Sequence, residues 1–209
     1  MSRVKPILFN TDMVRAILDG RKTVTRQAVK PQPQGYFEVN DNPLYIYDMS
    51  FGNGRIYPPY QQDDIMYVKE TWHKYKKRIG KGKSCYMAEF YGYKASIANS
   101  EDSDEKWRPS IHMPKEAVRI WLKVIGVRVE RLQDITEKQA KAEGFGPVMS
   151  TKDSSFYTPW QGPPVENFKY FWNYTIKKKD LPLYGWNANP WVWVIEFERC
   201  EKPEEDMGE

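Results

Sequence analysis

The segment Gly20–Arg26 (GRKTVTR) places three cations and two threonines side by side. The cations repel one another, and repulsion combined with burial lowers the pKa of a lysine amine. A neutral Lys22 is a general base toward a hydroxyl, and Thr23 and Thr25 carry the nearest hydroxyls. Lys22 and Thr25 converge only if the chain turns here, and a turn is expected just after the helix-ending Gly20. The alternative interpretation is a surface β-strand that displays long cations and threonines.

Two glutamates are candidate partners for this segment. Glu143 lies at the C-terminal end of a predicted short helix, where a carboxylate faces the negative end of the helix dipole. An unfavourable position of this kind indicates either functional use or an ordinary solvated side chain. Glu70 lies on a predicted strand beside Trp72, and two roles are open for it. It forms an ion pair with Arg26 or Lys22, or it binds the edge of a nucleic-acid base.

The elements that must position these residues are mostly strands. Apolar patterns predict strands over Pro6–Phe9, Ile65–Thr71, Cys85–Tyr93, Trp121–Leu132 (with Gly126 as a bulge) and Trp191–Phe197. Helices are predicted from Asn10 or Thr11 to Gly20, over Thr136–Gly144 with a Thr136/Gln139 capping box, and over Val165–Ile176. No βαβ rhythm is present. The expected fold is therefore mainly β with flanking helices (α+β), a small barrel of about five to six mostly antiparallel strands.

Turn-rich or strongly charged segments separate these elements. Residues 30–62 are predicted to form a long excursion with one hairpin through Leu44–Tyr47, and residues 145–164 form a second loop. Lys74–Lys83 is predicted to be a basic loop, either a solvated hairpin loop or a contact surface for phosphates. A stripe on the last helix, formed by Phe168, Phe171, Trp172 and Thr175, is expected to belong to the core rather than to a ligand site.

The length of the chain indicates the number of domains, and its charge indicates the kind of partner. The 209 residues suit a single domain, assigned to residues 1–199, and the acidic segment 200–209 is expected to be disordered. That segment carries a net charge of −4, so the rest of the chain carries +8 although the whole carries +4. A moderately basic body is compatible with a phosphate-bearing partner.

Several classes of protein are disfavoured by composition. Cys85 and Cys200 form no CxxC motif and are expected to be free thiols, and two histidines are too few for a multi-histidine metal site. The longest apolar stretch, around Trp191–Ile195, is far shorter than the roughly 20 residues of a membrane helix. The N-terminus shows no secretory signal. A cytoplasmic protein that does not associate with membranes is expected.

The chain resembles the ASCH family, whose fold is a PUA-like β-barrel. Four motifs carry the resemblance in this order: Gly20–Arg26, Asp64–Val68, Leu132–Glu137 followed by Ala140 and Glu143, and Trp191–Phe197. The long loops and the segment Trp107–Pro114 are similar to the larger, phage- or prophage-associated branch of the family. Small bacterial members are N4-acetylcytidine amidohydrolases. They use a lysine, a threonine three residues later and a glutamate in the helix after the long strand.

The resemblance implies a catalytic set of Lys22, Thr25 and Glu143. Lys22 would deprotonate Thr25, and Thr25 would attack the acetyl carbonyl of an N4-acetylated cytosine. Glu143 would help the exocyclic nitrogen to leave as an amine, and water would then release acetate. Arg26 or a backbone N–H would stabilise the oxyanion. The resemblance implies no metal and no cofactor.

The implied partner is a nucleoside or an RNA that carries a modified cytidine, bound by a protein for which a monomer is favoured. Tyr67, Trp72 and Trp107 are the rings available for base stacking, with Arg26 and Glu70 as polar contacts.

Two other functions stay open. A non-catalytic RNA- or modified-base-binding module would use Lys74–Lys83 on phosphates and aromatic side chains on a base. A ribonuclease is the third alternative. It would not depend on histidine, because His73 and His112 are expected to be structural, with His112 packed under loops.

Overall fold

The computed structural model describes residues 3–34, 36–41, 44–49, 54–81, 84–97, 106–146 and 162–204. The strands in these ranges are β1 (Val4–Leu8), β2 (Val24–Ala28), β3 (Phe37–Asp41), β4 (Leu44–Asp48), β5 (Gly54–Ile56), β6 (Ile65–Lys69), β7 (Trp72–Ile79), β8 (Tyr86–Tyr93), β9 (Trp121–Arg131) and β10 (Trp191–Cys200). The helices are α1 (Thr11–Leu18), α2 (Glu137–Ala142), α3 (Pro164–Thr175) and α4 (Leu181–Tyr184). The predicted class, mainly β with flanking helices, is confirmed.

The largest sheet has five strands in the order β1-β6-β9-β10-β2. Strands β1 and β6 are parallel, and the other three pairs in this sheet are antiparallel. A three-stranded sheet (β3-β4-β5) and a two-stranded ribbon (β7-β8) are separate from it. Within the ranges given above, β1 and β2 are not hydrogen-bonded to each other, so the five strands do not close into a barrel.

Strand β10 lies at the centre of the core and is buried on both faces. Val192 and Val194 face the cluster formed by α2 and α3, whereas Trp193 packs against β4 and β5. Ile195 and Phe197 join the cluster around β6, β9 and α1. Burial on both faces explains why this strand is a continuous apolar run instead of an alternating one. The strand extends three residues beyond the predicted Phe197, to Cys200.

Several local predictions are confirmed because the signals act within a few residues. Asn10 caps α1, accepting a hydrogen bond from the Met13 backbone N–H. Thr136 and Gln139 form the predicted capping box of α2. Glu196 of β10 is opposite Gly126 and Phe197 is opposite Val124, so β9 carries one extra residue beside the predicted glycine bulge.

Other local predictions are wrong. Strand β7 continues to Ile79, so most of the predicted basic loop Lys74–Lys83 is strand. Residues 30–62 hold three strands instead of one hairpin. His112 is exposed and is not packed under loops. Most of the predicted loop 145–164, and the end of the acidic segment from residue 205, fall outside the described residues.

Cys85 and Cys200 are both free thiols, as predicted. Among the helices described above, none is long and apolar enough to cross a membrane.

Candidate active site

Lys22 is brought into the interior by the way in which α1 ends. The predicted stop, Gly20, adopts a φ of 73°, and the backbone N–H groups of Arg21 and Lys22 both donate to the Ala16 carbonyl at 2.8 and 2.9 Å. The chain then forms an isolated bridge between Lys22 and Glu143 before β2 begins. The Lys22 side chain is fully buried. The interpretation of this segment as a surface strand is therefore wrong for Lys22.

Helix α2 places Glu143 opposite Lys22. Glu143 is the C-terminal cap residue of the helix, and Gly144 follows it with a φ of 100°. A Cβ atom on Gly144 would lie 3.0 Å from the Cβ of Ala16 and 3.5 Å from the Cβ of Lys22. Glycine is needed here for the backbone conformation and for the close approach of the two segments.

All three protons of the Lys22 ammonium are donated. The acceptors are the carbonyl oxygens of Val24 at 2.7 Å and Glu143 at 3.0 Å, and the Glu143 Oε2 at 2.7 Å. The cation therefore neutralises the Glu143 carboxylate and the adjacent C-terminal carbonyl, which accounts for a glutamate at this end of a helix. Burial lowers the pKa of Lys22 below its usual 10.5, an effect that Glu143 partly opposes.

Arg26, on β2, is the second cation on Glu143. Its Nη1 donates to Glu143 Oε1 at 3.2 Å, and its Nη2 donates to Glu130 Oε1 at 2.5 Å. Arg128 and Glu196 continue the chain of ion pairs toward the surface. Among the described residues, no acceptor lies within hydrogen-bonding distance of the buried Arg26 Nε. A buried donor without an acceptor is costly, so this N–H is a candidate donor to a bound molecule.

A cavity of about 160 Å³ opens beside these residues. Its polar lining consists of Thr25, Arg26, Gln27, Glu143 and Thr175. Its rings come from the end of β1 (Phe9), from the residue after Gly144 (Phe145) and from α3 (Phe168, Phe171 and Trp172). The Thr25 hydroxyl makes no hydrogen bond to any residue within the described ranges. The residues that line the cavity thus carry a hydroxyl and a guanidinium N–H that have no partner among the described residues, and a carboxylate, among aromatic walls.

The structure brings together four of the predicted site residues. Thr25, Arg26 and Glu143 line the cavity, and Lys22 lies directly behind Glu143. Lys22 and Thr25 are not hydrogen-bonded to each other, because the lysine protons are directed to the acceptors named above.

The other four predicted residues are not among the residues that line the cavity. Tyr67 packs against Trp121 with ring centroids 5.9 Å apart. Glu70 is paired with Arg119, not with Arg26 or Lys22. The remaining two are associated with the β7–β8 ribbon: Trp72 is buried against Tyr91 and Met113, and the ring of Trp107 lies 4.6 Å from that of His73.

The rings of the cavity wall are candidate functional residues that are not among the residues predicted from the sequence. The aromatic stripe on α3 is visible in the sequence, but its spacing predicts that it belongs to the core. Phe168 and Trp172 are indeed buried, and they also face the cavity together with Phe171 and Thr175. An apolar stripe has the same pattern in both cases, since a core and a ring-binding wall need the same side chains.

The arrangement fits acyl-transfer chemistry on a flat ring. Apolar cavities of about 150 Å³ take up one benzene-sized ring. Among the lining residues, Thr25 carries a hydroxyl for attack, Glu143 a carboxylate for proton transfer and Arg26 an N–H donor for an oxyanion. In the part of the chain that the structure describes, no group of three histidine, cysteine, aspartate or glutamate side chains could hold a metal ion.

Comparison with protein-family models, curated proteins and solved structures finds no match to this chain.

Proposed function

We propose that the protein hydrolyses the N4-acyl amide of N4-acetylcytidine or of a related modified nucleoside. Membership of the ASCH family is part of the proposal, and so is a PUA-like architecture for the five-stranded sheet, although its edge strands β1 and β2 are not paired with each other in the described residues. The observation that carries it is a single cavity lined by Thr25, Arg26 and Glu143, in which the Thr25 hydroxyl and the Arg26 Nε have no hydrogen-bond partner among the described residues. Its size fits the base, so the ribose would remain at the mouth.

The reaction needs a neutral Lys22 amine and a protonated Glu143 carboxyl group. Both form by proton transfer along one existing hydrogen bond. Lys22 Nζ and Glu143 Oε2 are 2.7 Å apart. Moving the shared proton to the carboxylate leaves a neutral amine and a carboxylic acid. The lowered pKa of Lys22 favours this exchange, because burial disfavours a separated pair of charges. One proton shift therefore supplies a general base and a general acid together.

Acylation uses that pair. Lys22 takes the Thr25 hydroxyl proton as the oxygen bonds to the acyl carbon, and the Arg26 Nε–H stabilises the oxyanion. The bond between the carbon and N4 then breaks, and Glu143 gives its proton to the departing amine. The products are an ester on Thr25 and the unmodified cytosine, with the ammonium and the carboxylate restored.

Deacylation runs through the same groups in reverse. Glu143 takes a proton from water, the resulting hydroxide attacks the ester carbon, and Lys22 returns a proton to the Thr25 oxygen as the ester bond breaks. Acetic acid leaves and ionises in solution. The proposal requires Lys22 to exchange its bond to the Val24 carbonyl for one to Thr25 when substrate binds. Catalytic hydrogen bonds often form only in the complex with substrate.

The direct test is acetate release from N4-acetylcytidine by the wild-type protein and by Thr25→Val, which removes the hydroxyl at nearly constant volume. We expect turnover by the wild type and a loss of at least about a hundredfold in the variant. Thr25→Ser keeps the hydroxyl and should retain measurable turnover. Intact-protein mass spectrometry should detect an acetyl group on Thr25 during turnover.

Thr23→Val is the matched control. Thr23 lies two residues before Thr25, immediately before β2. Its side chain is exposed and is not among the residues that line the cavity. Its loss should leave turnover unchanged. If Thr25→Val hydrolyses the substrate as fast as the wild type, Thr25 is not the nucleophile.

A non-catalytic module that binds a modified base is the second candidate. It is favoured by the hydrogen bonding of Lys22, since an ammonium that donates all three protons also describes a purely structural ion pair. This candidate predicts that N4-acetylcytidine binds and is recovered intact after prolonged incubation.

A further inference from the structure

The β7–β8 ribbon combines a net positive charge with partly exposed aromatic rings. The described residues 72–81 and 84–93 carry five lysines or arginines and a single acidic residue, Glu89. Lys74 and Lys76 share that carboxylate, at 2.5 and 3.9 Å. Lys77, Arg78 and Lys81 are exposed, and within the described chain no carboxylate pairs with them. Together they present three free cations to a polyanion.

One face of the ribbon is a row of rings. In an antiparallel pair, opposed residues share a face, and here His73 is opposite Gly92 and Tyr75 is opposite Phe90. The His73 and Tyr75 rings are stacked with centroids 5.2 Å apart, and those of Tyr75 and Phe90 are stacked at 5.7 Å. Trp107 extends the row beyond His73.

Gly92 is required for this row. A Cβ atom at that position would lie 1.6 Å from the Nε2 of His73, so the imidazole lies directly across the glycine. The two half-buried rings at the outer end, Tyr75 and Phe90, keep surface that is open to solvent.

The cations and the rings are close enough to act on one ligand. Lys77 follows Tyr75 on the same face, opposite Ala88. Arg78 projects from the other face, but a two-stranded ribbon is narrow, since neighbouring strands are only about 4.8 Å apart. A long cation can therefore reach round its edge. Cations that track a backbone beside rings that stack on bases are the general features of single-strand binding.

The ribbon begins close to the cavity. Leu8 and Phe9, which line the cavity, lie beside Lys69 at the end of β6, and the Phe9 backbone N–H donates to the Lys69 carbonyl at 3.2 Å. Only Glu70 and Thr71 separate Lys69 from the first residue of β7.

We infer that the β7–β8 ribbon binds single-stranded RNA, with bases on the Tyr75/Phe90 face and phosphates on Lys77, Arg78 and Lys81. The ribbon thereby delivers a base within a strand to the cavity, and this second step rests on the proposed function. The substrate class is then a modified cytidine in RNA instead of a free nucleoside.

The first experiment measures binding and is independent of catalysis. Fluorescence anisotropy with a short, labelled, unmodified single-stranded RNA gives the dissociation constant as a function of salt. We expect Lys77→Ala/Arg78→Ala/Lys81→Ala to weaken binding roughly tenfold or more and to lower the slope of log K against log salt by about 2, since each phosphate contact contributes about 0.7. Tyr75→Ala should weaken binding at least about fivefold with an unchanged slope.

The matched control removes the same charge elsewhere. Lys177→Ala/Lys178→Ala/Lys179→Ala neutralises three exposed lysines beyond α3 and should leave both affinity and slope unchanged. Equal losses in the two triple variants would show that only net charge matters and would overturn the inference. Binding of the wild type to vesicles of phosphatidylserine and phosphatidylcholine, together with no binding to RNA, would also overturn it in favour of a membrane surface.

A second experiment separates this inference from the proposed function. Hydrolysis of free N4-acetylcytidine should be the same in the wild type and in the Lys77/Arg78/Lys81 variant, whereas hydrolysis of an acetylated oligonucleotide should fall in the variant. RNA binding without any hydrolysis would sink the proposed function and leave the ribbon inference standing. Equal hydrolysis of the oligonucleotide by both proteins would refute delivery by the ribbon.

Discussion

Glu143 and Glu70 are almost equally buried, with 2% and 1% of their surface exposed, and each is paired with arginine. Sequence reasoning leaves both as candidates for function. Their surroundings differ in the hydrogen bonding of those arginines. Every nitrogen of the Arg119 guanidinium that holds Glu70 has an acceptor, whereas no described residue accepts a hydrogen bond from the Nε of Arg26 beside Glu143.

The ion pair between Glu70 and Arg119 uses every nitrogen of the guanidinium. Arg119 donates from Nε and Nη2 to the two carboxylate oxygens at 2.8 and 2.9 Å, and from Nη1 to Ser96 at 2.7 Å. Its guanidinium also stacks on Tyr93 at 4.0 Å. Glu143 is instead shared by two cations at the edge of a cavity. Burial and ion pairing therefore do not identify a site. What sets Glu143 apart is that it and its partner Arg26 line a cavity and that Arg26 keeps a donor without a partner in the described chain.

Removing the negative charge of each glutamate should produce the largest difference between the two pairs. Glu143→Gln should lower kcat for N4-acetylcytidine by about 10²–10⁴, because a proton-transfer group is lost. Glu70→Gln should leave kcat unchanged per folded molecule. Activity is normalised to the folded fraction measured by circular dichroism. Equal kcat in the two variants would place Glu143 with Glu70 as a structural residue.

The same pair of variants differs in stability. Glu143→Gln strands the fully buried Lys22 ammonium, so we expect a loss of about 3–5 kcal/mol in the free energy of unfolding. Glu70→Gln should cost less, because Arg119 is 28% exposed and can be hydrated. Lys22→Met/Glu143→Gln, which carries neither charge, should recover stability in urea denaturation without recovering turnover. Recovery of both would contradict a catalytic pair.

A smaller effect is expected from exchanging each arginine for lysine. Arg26→Lys keeps the charge but removes the Nε donor, so kcat should fall by about 10²–10³, the usual cost of one oxyanion donor. Arg119→Lys should reduce stability, through loss of its paired hydrogen bonds, and leave kcat unchanged. A kcat for Arg26→Lys equal to that of the wild type would remove the oxyanion role.

Much of the scaffold was predictable because its signals are local. The capping box of α2 and the glycine bulge of β9 each depend on neighbours within a few residues. The ribbon strand β7 was not predictable in this way. Its residues are mostly polar on both faces, so the alternation that identifies a half-buried strand is missing, and the segment resembles a charged loop.

The candidate site was predictable only in part. Lys22 and Glu143 are 121 residues apart in sequence, and no periodicity links them, so their pairing was implied by the resemblance alone. The cavity wall could not be inferred, because Phe168 and Trp172 have the spacing of core residues. The partner of Glu70 could not be predicted either, because Arg119 lies 49 residues away in the sequence and no periodicity links the two residues.

The smallest effect that separates the two pairs is the dependence of rate on pH. Burial holds the pKa of Lys22 below 10.5, so at a given pH more of its amine is neutral than in an exposed lysine. The working form of the pair carries one proton, shared between Lys22 and Glu143. We therefore expect kcat to be level through neutral pH and to fall with rising pH, about tenfold per unit at most, once that proton is lost below 10.5. Thr23→Val should keep this profile. Lys22→Arg, whose side chain stays protonated, should lose most of the activity together with the alkaline fall. A wild-type rate that does not fall at alkaline pH would mean that the proton of the pair takes no part in the reaction. The Lys22–Glu143 pair would then be as inert as the pair formed by Glu70 and Arg119.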